Sequence, residues 1–486
     1  MRYPPRPIFL LSLSSFIFLP LLTACAPANT PRALLATLAD TSISADDRLA
    51  ADRRLLTLLP ATDDSRLTLL EQLASSPVQP DAIRIYALDQ LAAAAPARAY
   101  TALSYCLPHV DSFPLLQHAC TLTTTLNDPR LIPPLIRSLA RESKSIPRPS
   151  RPEVSAIEKL SGHPLADTLL AAVAGPRLPS THLAALTLLP DFLPAPELRA
   201  RLLAFPGGSW GPDPFLLTLQ YSLTTFDYLP TTQTEFDALT FLRRPGTDPD
   251  IVAMHARLKS TPTYTFAPRF AATLRIAHNS TDTDLATADR PALVTKIAAL
   301  LKPLRHIPRR PAYEHAPDDL DQSLDANLPK LSHADLLTIL ILLRALNSDV
   351  LPAEILRLGH EDLADTTTEY GGLLAVRNVA DAPGPRPAAW FVTPRLYPPH
   401  TTGNDLAYMA SDALLADSAQ GLALFHLHFH QVHNAENAGP SLGDLDFARA
   451  NRLNCVVFTS LDAHSFNADY YTPAGAVVDL GTYSDP

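Results

Sequence analysis

Apolar residues recur at intervals of three and four through the amino-terminal half of the chain and at intervals of two near its carboxyl end. The first spacing predicts helices and the second strands. Phe113 to Leu126 reads as one helix, Asn127-Asp128-Pro129 as a turn, and Leu131 to Leu139 as a second helix. Asp81 to Ala95 followed by Ala97 to Leu107 repeats the plan, and Ala87 and Ala119 hold equivalent places about 32 residues apart. Looser pairs join Ala51–Leu59 to Ser65–Ala74, and His182–Leu189 to Pro196–Ala204. Proline at the start of a second helix fits its tolerance in a first turn. Each hairpin has an apolar face it cannot bury alone, so such units stack.

Residues 206–330 are less regular. Asp250 to Lys259 and Ala292 to Leu304 read as helices, Gly207 to Pro212 as a turn cluster, and His306 to Asp321 as a charged connector. Trp210, Tyr221 and Tyr228 are candidates to line a pocket or, more commonly for such residues, to serve as packing. Leu331 to Leu346 and Pro352 to Asp365 are apolar helices leading into a strand region. Nine of the chain's 16 glycines fall between Gly371 and Gly481, which marks a change of turn chemistry near residue 350. Beyond it, Gly371–Arg377, Ala388–Pro394, Gly421–His430, Asn454–Ser460, Phe466–Tyr471 and Ala476–Leu480 read as strands. Gly403–Ala419 and Asp444–Arg452 read as helices. The expected fold class is multidomain, with all-α helical repeats followed by an α/β domain with a mixed sheet. The boundaries are 1–24, a signal peptide; 25–205, helical repeats; 206–350, an irregular, mainly helical region; and 351–486, the α/β domain.

The strand that carries candidate chemistry is Phe425-His426-Leu427-His428-Phe429-His430. A period of two sets its three histidines on one face, roughly 6.5–7 Å apart along the backbone, from which two imidazoles can converge on one ion. Ser441 and Asp444 follow a loop later, and Glu369 precedes Gly371-Gly372-Leu373-Leu374. The order Glu … His-x-His … Ser-x-x-Asp resembles the JAB/MPN family, whose active members are the JAMM metallopeptidases. The resemblance covers the last 120–150 residues or so. It implies Zn2+ held by His428, His430 and Asp444, with Glu369 as general base and Ser441 supporting the oxyanion. The reaction implied is amide or isopeptide hydrolysis. Ten residues, Gln431 to Pro440, separate His430 from Ser441, a longer loop than the family's, and Gln431 stands where the family has proline. Taking His426 and His428 as the pair lengthens that loop further, so the spacing favours His428 and His430. Ser441-x-x-Asp444 is also the pattern of a helix N-cap. A degenerate site on a scaffold or binding protein is the alternative. His433, Glu436 and His464 are expected in solvent.

The hairpins resemble HEAT-like repeats, Asp128-Pro129-Arg130-Leu131-Ile132-Pro133 most of all, which implies a surface for a protein or peptide partner. Met1 to Arg6 is short and basic, and Ile8 to Leu22 is apolar, the layout of a secretory signal. Leu22-Thr23-Ala24-Cys25 resembles the bacterial lipobox, which implies lipid on Cys25 and a membrane-tethered place outside the cytoplasm. No later apolar run reaches the ~20 residues a membrane span requires. A net charge of -10 argues against a nucleic-acid partner. In an oxidising compartment Cys106 and Cys120 are candidates for a disulfide or for two buried thiols, while Cys455 reads as core.

Overall fold

The computed structural model describes residues 30–142, 146–175, 179–205, 213–280, 285, 287–307, 321–378, 390–402 and 407–485. The signal region, Cys25 and Trp210 lie outside the described residues. Contacts divide the chain into two units, Met1–Leu169 and Leu170–Pro486, and the division falls inside the helix Leu165–Ala174. The expected boundaries at 205 and 350 do not coincide with it.

The regular elements among the described residues of the first unit are all helices. Asp64–Ser75, Asp81–Ala94, Pro96–Cys106, Phe113–Leu126, Ile132–Ala140 and Pro152–Ser161 follow one another with short turns. Leu67, Leu70 and Leu73 face inward from one turn to the next, and so do Leu88 and Leu91. Asn127 closes the Phe113–Leu126 helix in the left-handed region at φ 49°, where asparagine is tolerated, and Asp128 caps the next turn by accepting from the Arg130 amide. A repeated device joins neighbouring helices. Arg48 donates to the Leu38 carbonyl at 2.9 Å, Arg84 to Ala74 at 3.1 Å, and Arg151 to Leu139 at 3.3 Å. Each arginine satisfies a carbonyl that a helix end leaves without an intrahelical partner. Arg66, wholly buried, forms a bidentate pair with Asp52 at 2.8 and 2.6 Å, and the Tyr86 hydroxyl donates to the same carboxylate. Cys106 and Cys120 are buried free thiols, the second of the two expected states.

The second unit holds a six-stranded mixed sheet: β1 (Gly371–Asn378), β2 (Trp390–Leu396), β3 (Gly421–His428), β4 (Cys455–Asp462), β5 (Ser465–Tyr471) and β6 (Val477–Ser484). The order is β2-β1-β3-β4-β5-β6, parallel only between β3 and β4. The parallel pair needs a crossover, which the helix Leu442–Asn451 supplies. On one face, Phe425, Leu427, Val456 and Phe458 share a core with His333–Leu346, Val350–Ala364 and the helices between residues 233 and 301. On the other, Leu373, Leu424, Cys455, Val457 and Tyr471 pack with Leu445 and Ala448 of the crossover helix. β3 is therefore buried along its whole length.

Two expectations differ from this. The described residues between 213 and 330 form helices, Pro214–Tyr221, Gln233–Leu242, Pro249–Leu258, Ala271–Asn279 and Arg290–Leu301 among them, and those from Phe226 onward share the sheet's core, so no separate core ends near residue 350. Of the expected helix Gly403–Ala419, residues 403–406 lie outside the described residues, and the described remainder holds Asp412–Ala416 and a short turn at Ser418–Gln420. Residues 407–410 run instead as an irregular segment, with the Tyr408 hydroxyl donating to the Tyr397 carbonyl and the His400 amide to the Met409 carbonyl. Tyr221 and Tyr228 are packing residues, their hydroxyls donating to Asp248 and Glu235. No single helix among the described residues is long and apolar enough to cross a membrane. The one bent pair of suitable composition, His333–Leu346 with Val350–Ala364, lies in the core.

Candidate metal centre

β1 and β3 pair antiparallel with Gly371 opposite His426. Continuing that register by two residues sets Glu369 across from His428 on the same face. The Tyr370 amide donates to the Asp362 carboxylate at 2.8 Å and the Tyr370 carbonyl accepts from the Leu427 amide at 2.9 Å, so the backbone carrying Glu369 is pinned on both sides. Glycine at 371 is required by packing, because a Cβ there would stand 2.7 Å from the Tyr408 ring, which walls the site. Glycine at 372 lets β2 approach, since a Cβ would stand 2.0 Å from the Arg395 carbonyl oxygen.

The side chains that meet are Glu369, His426 and His428, all buried, with one ligand atom from each within 4.8 Å of the others. The two Nε2 atoms are 3.2 Å apart. Two nitrogens bound at 2.0–2.1 Å to one tetrahedral ion would be roughly 3.3–3.4 Å apart, so the spacing suits a shared ion. His426 Nε2 lies 3.6 Å from Asp444 Oδ1 and 4.0 Å from Glu369 Oε1. His428 Nδ1 faces the Asn437 carbonyl at 3.2 Å, so that nitrogen carries the proton and Nε2 presents its lone pair inward.

Of the expected metal ligands, His428 belongs to this group, Asp444 lies outside it with Oδ1 against His426, and His430 does not join it. β3 ends at His428, and His430 lies beyond it with its ring centre 5.9 Å from that of His428. The alternation of three histidines ignores where the strand stops, whereas the β1–β3 register selects His426 and His428. The twelve residues 429–440 that then precede Ser441 form a folded loop. Asn434, fully buried, donates to the His428 carbonyl at 3.0 Å and accepts from Gln431 and Asn437. This loop delivers the carbonyl that orients His428, a contribution no spacing rule reveals. His433, Glu436 and His464 are exposed, as expected.

Ser441 and Asp444 form a capping box at the start of Leu442–Asn451. Asp444 Oδ2 accepts from the Ser441 amide at 2.7 Å and from its hydroxyl at 2.8 Å, while Ser441 Oγ accepts from the Asp444 amide at 3.2 Å. The cap and the candidate ligand are the same residue: Oδ2 serves the helix and Oδ1 faces His426. Burial raises the Asp444 carboxyl, but His426, His428 and the Ser441 hydrogen bonds outweigh it, and the group sits below its ordinary value. Burial first, and then His426 beside it, holds His428 well below the ordinary imidazole range. Both shifts favour the proton-free forms that a cation needs.

These groups open into a cavity of about 230 Å³ walled by Tyr408, Met409, Phe447 and Tyr471, with Cys455 at its lining as well as in the core. Comparison of the chain with protein-family models, with curated proteins and with solved structures finds no match to any of them.

Proposed function

We propose that the chain is a lipid-anchored, metal-dependent amide hydrolase acting outside the cytoplasm, with a JAB/MPN-like carboxy-terminal domain. The observation that carries this reading is the convergence of two imidazole Nε2 atoms at 3.2 Å with two carboxylates within 4.0 Å of His426, in a buried cleft. His426, His428 and Asp444 would hold the ion, and an N/N/O set that leaves a fourth position suits zinc. Such an ion, when bound, supplies Lewis-acid polarisation and a water that is nucleophilic near neutral pH. Glu369 stands where it can take a proton from the attacking water and pass it to the leaving nitrogen as the C–N bond breaks, giving a carboxylic acid and an amine. The Asn437 carbonyl keeps the His428 ring in its tautomer, and the capping box keeps Asp444 Oδ1 aimed inward. The family resemblance in Glu369, His428, Ser441 and Asp444 supports the same roles, with His426 in place of His430.

The lipobox-like Leu22-Thr23-Ala24-Cys25 supports an anchor on Cys25, and the HEAT-like hairpins support a protein partner. Radiolabelled palmitate should enter the full chain and be absent from Cys25→Ser. Metal analysis of the mature protein tests the centre: about one zinc per chain is expected, with Glu369→Gln keeping the zinc and losing peptide hydrolysis. A protein that binds no zinc and melts identically with and without chelator overturns the reading.

One observation favours a second reading, a non-catalytic binding lipoprotein. The Ser441 hydroxyl both donates and accepts within its own cap, so it has no hydrogen to spare for an oxyanion unless the cap opens. Zinc bound without hydrolysis of any peptide would select this reading.

A further inference from the structure

The charge of the cleft is one-sided. Its charged lining residues are Glu369 and Asp444, and no lysine or arginine lines it among the described residues. A divalent cation balances those two carboxylates and leaves no surplus charge. A substrate that ends at the cleft needs a partner for its end. A terminal carboxylate calls for a cation, a terminal ammonium calls for a further acid, and a buried charge without a partner is expensive. Among the described residues the walls offer neither. They offer Tyr408 and Phe447, and the lining residue Met409 is one of the few exposed large apolar side chains among the described residues. Met409 is 53 % exposed. At Gly443 an added Cβ would meet only Ser441 Oγ, at 3.5 Å, so the floor beside the rim is open. A volume of 230 Å³ is that of about eight waters, enough for a scissile amide and one side chain.

We propose that this cleft takes an internal amide of an extended peptide, with an apolar side chain beside the scissile bond lying against Met409 and Phe447. It rejects peptides that place an acidic side chain or a free α-carboxylate there. The inference rests on the hydrolase reading and deepens it to a substrate class: an uncharged, apolar-flanked peptide bond rather than a chain end.

The test uses the zinc-loaded full chain and a mixture of peptides blocked at both ends, read by mass spectrometry. Cleavage beside Leu, Phe or Met should exceed cleavage beside Asp or Glu by about tenfold or more in kcat/KM, the discrimination expected of one apolar contact. Peptides with free carboxyl ends should not be trimmed residue by residue. Met409→Lys should narrow or reverse the preference against acidic flanks, a change that simple loss of structure would not produce. Equal rates for apolar and acidic flanks, or stepwise trimming from the carboxyl end, would overturn the inference and leave the hydrolase reading standing. If no peptide is cleaved, binding of leucine hydroxamate and aspartate hydroxamate to the zinc-loaded protein decides. Tighter binding of the leucine compound supports the apolar preference of the cleft while the hydrolase reading falls, and equal binding overturns both. A protein that takes up no zinc overturns both readings.

Discussion

Replacing His426 and, separately, His430 with alanine divides the geometry from the sequence motif. His426 Nε2 stands 3.2 Å from His428 Nε2 and 3.6 Å from Asp444 Oδ1, whereas His430 lies past the end of β3. Loss of a group that merely orients a ligand weakens metal binding by about 10–100-fold. Loss of His426 itself should therefore cost at least the upper end of that range, which is about 2.8 kcal/mol. With free zinc fixed at roughly 100 times the wild-type Kd, binding stabilises the wild type by about 2.7 kcal/mol and a hundredfold-weaker variant by only ~0.4 kcal/mol. At about 2–4 °C per kcal/mol, the zinc-induced rise in Tm should fall from about 5–10 °C to about 1 °C in His426→Ala. In His430→Ala it should be unchanged. Differential scanning calorimetry with a zinc buffer, backed by metal content after dialysis, makes the measurement, and the chelated Tm of each variant checks that it folds. If His430→Ala loses the zinc response while His426→Ala keeps it, the assignment made from the β1–β3 register is wrong.

Three further outcomes follow from the same structure. Ser441→Ala removes the N-cap, so the chelated protein should lose about 1 kcal/mol. Because Asp444 loses its tether, zinc affinity should also drop about 10–100-fold, measured by competition with a chromogenic chelator. Arg66→Met leaves Asp52 buried without its cation and should destabilise the helical unit by about 3–5 kcal/mol in urea unfolding, while Asp52→Leu/Arg66→Met together should recover a large part of the loss. His428 is held below its ordinary 6.5, so the unfolded chain takes up that proton first. The stability tied to its neutral form is full above about pH 6.5 and is lost as pH falls toward the folded value. The chelated protein should therefore melt lower at pH 5 than at pH 7, and His428→Gln should flatten that slope; equal slopes in circular-dichroism melts would count against a buried neutral imidazole.

Local pattern determined much of this protein. The three-and-four spacing of leucines marks Phe113–Leu126 and its neighbours, because a helix's buried face is a property of its own few turns. The alternation in Phe425-His426-Leu427-His428 marks β3 and says which side chains share a face. Ser441 and Asp444 mark both a helix start and a candidate ligand, since three-residue spacing serves a cap wherever it occurs. What sequence could not say was which two of three histidines count. That depends on where β3 stops and on its pairing with β1, a contact across about fifty residues. The same holds for Asn437, whose carbonyl reaches His428 only because Asn434 folds the intervening loop, and for Tyr408, whose place over Gly371 breaks the helix its own segment suggests. The helices from 213 to 346 belong with the sheet for a like reason: their apolar faces carry no mark of their partner, and packing alone decided that it was β3 and β4.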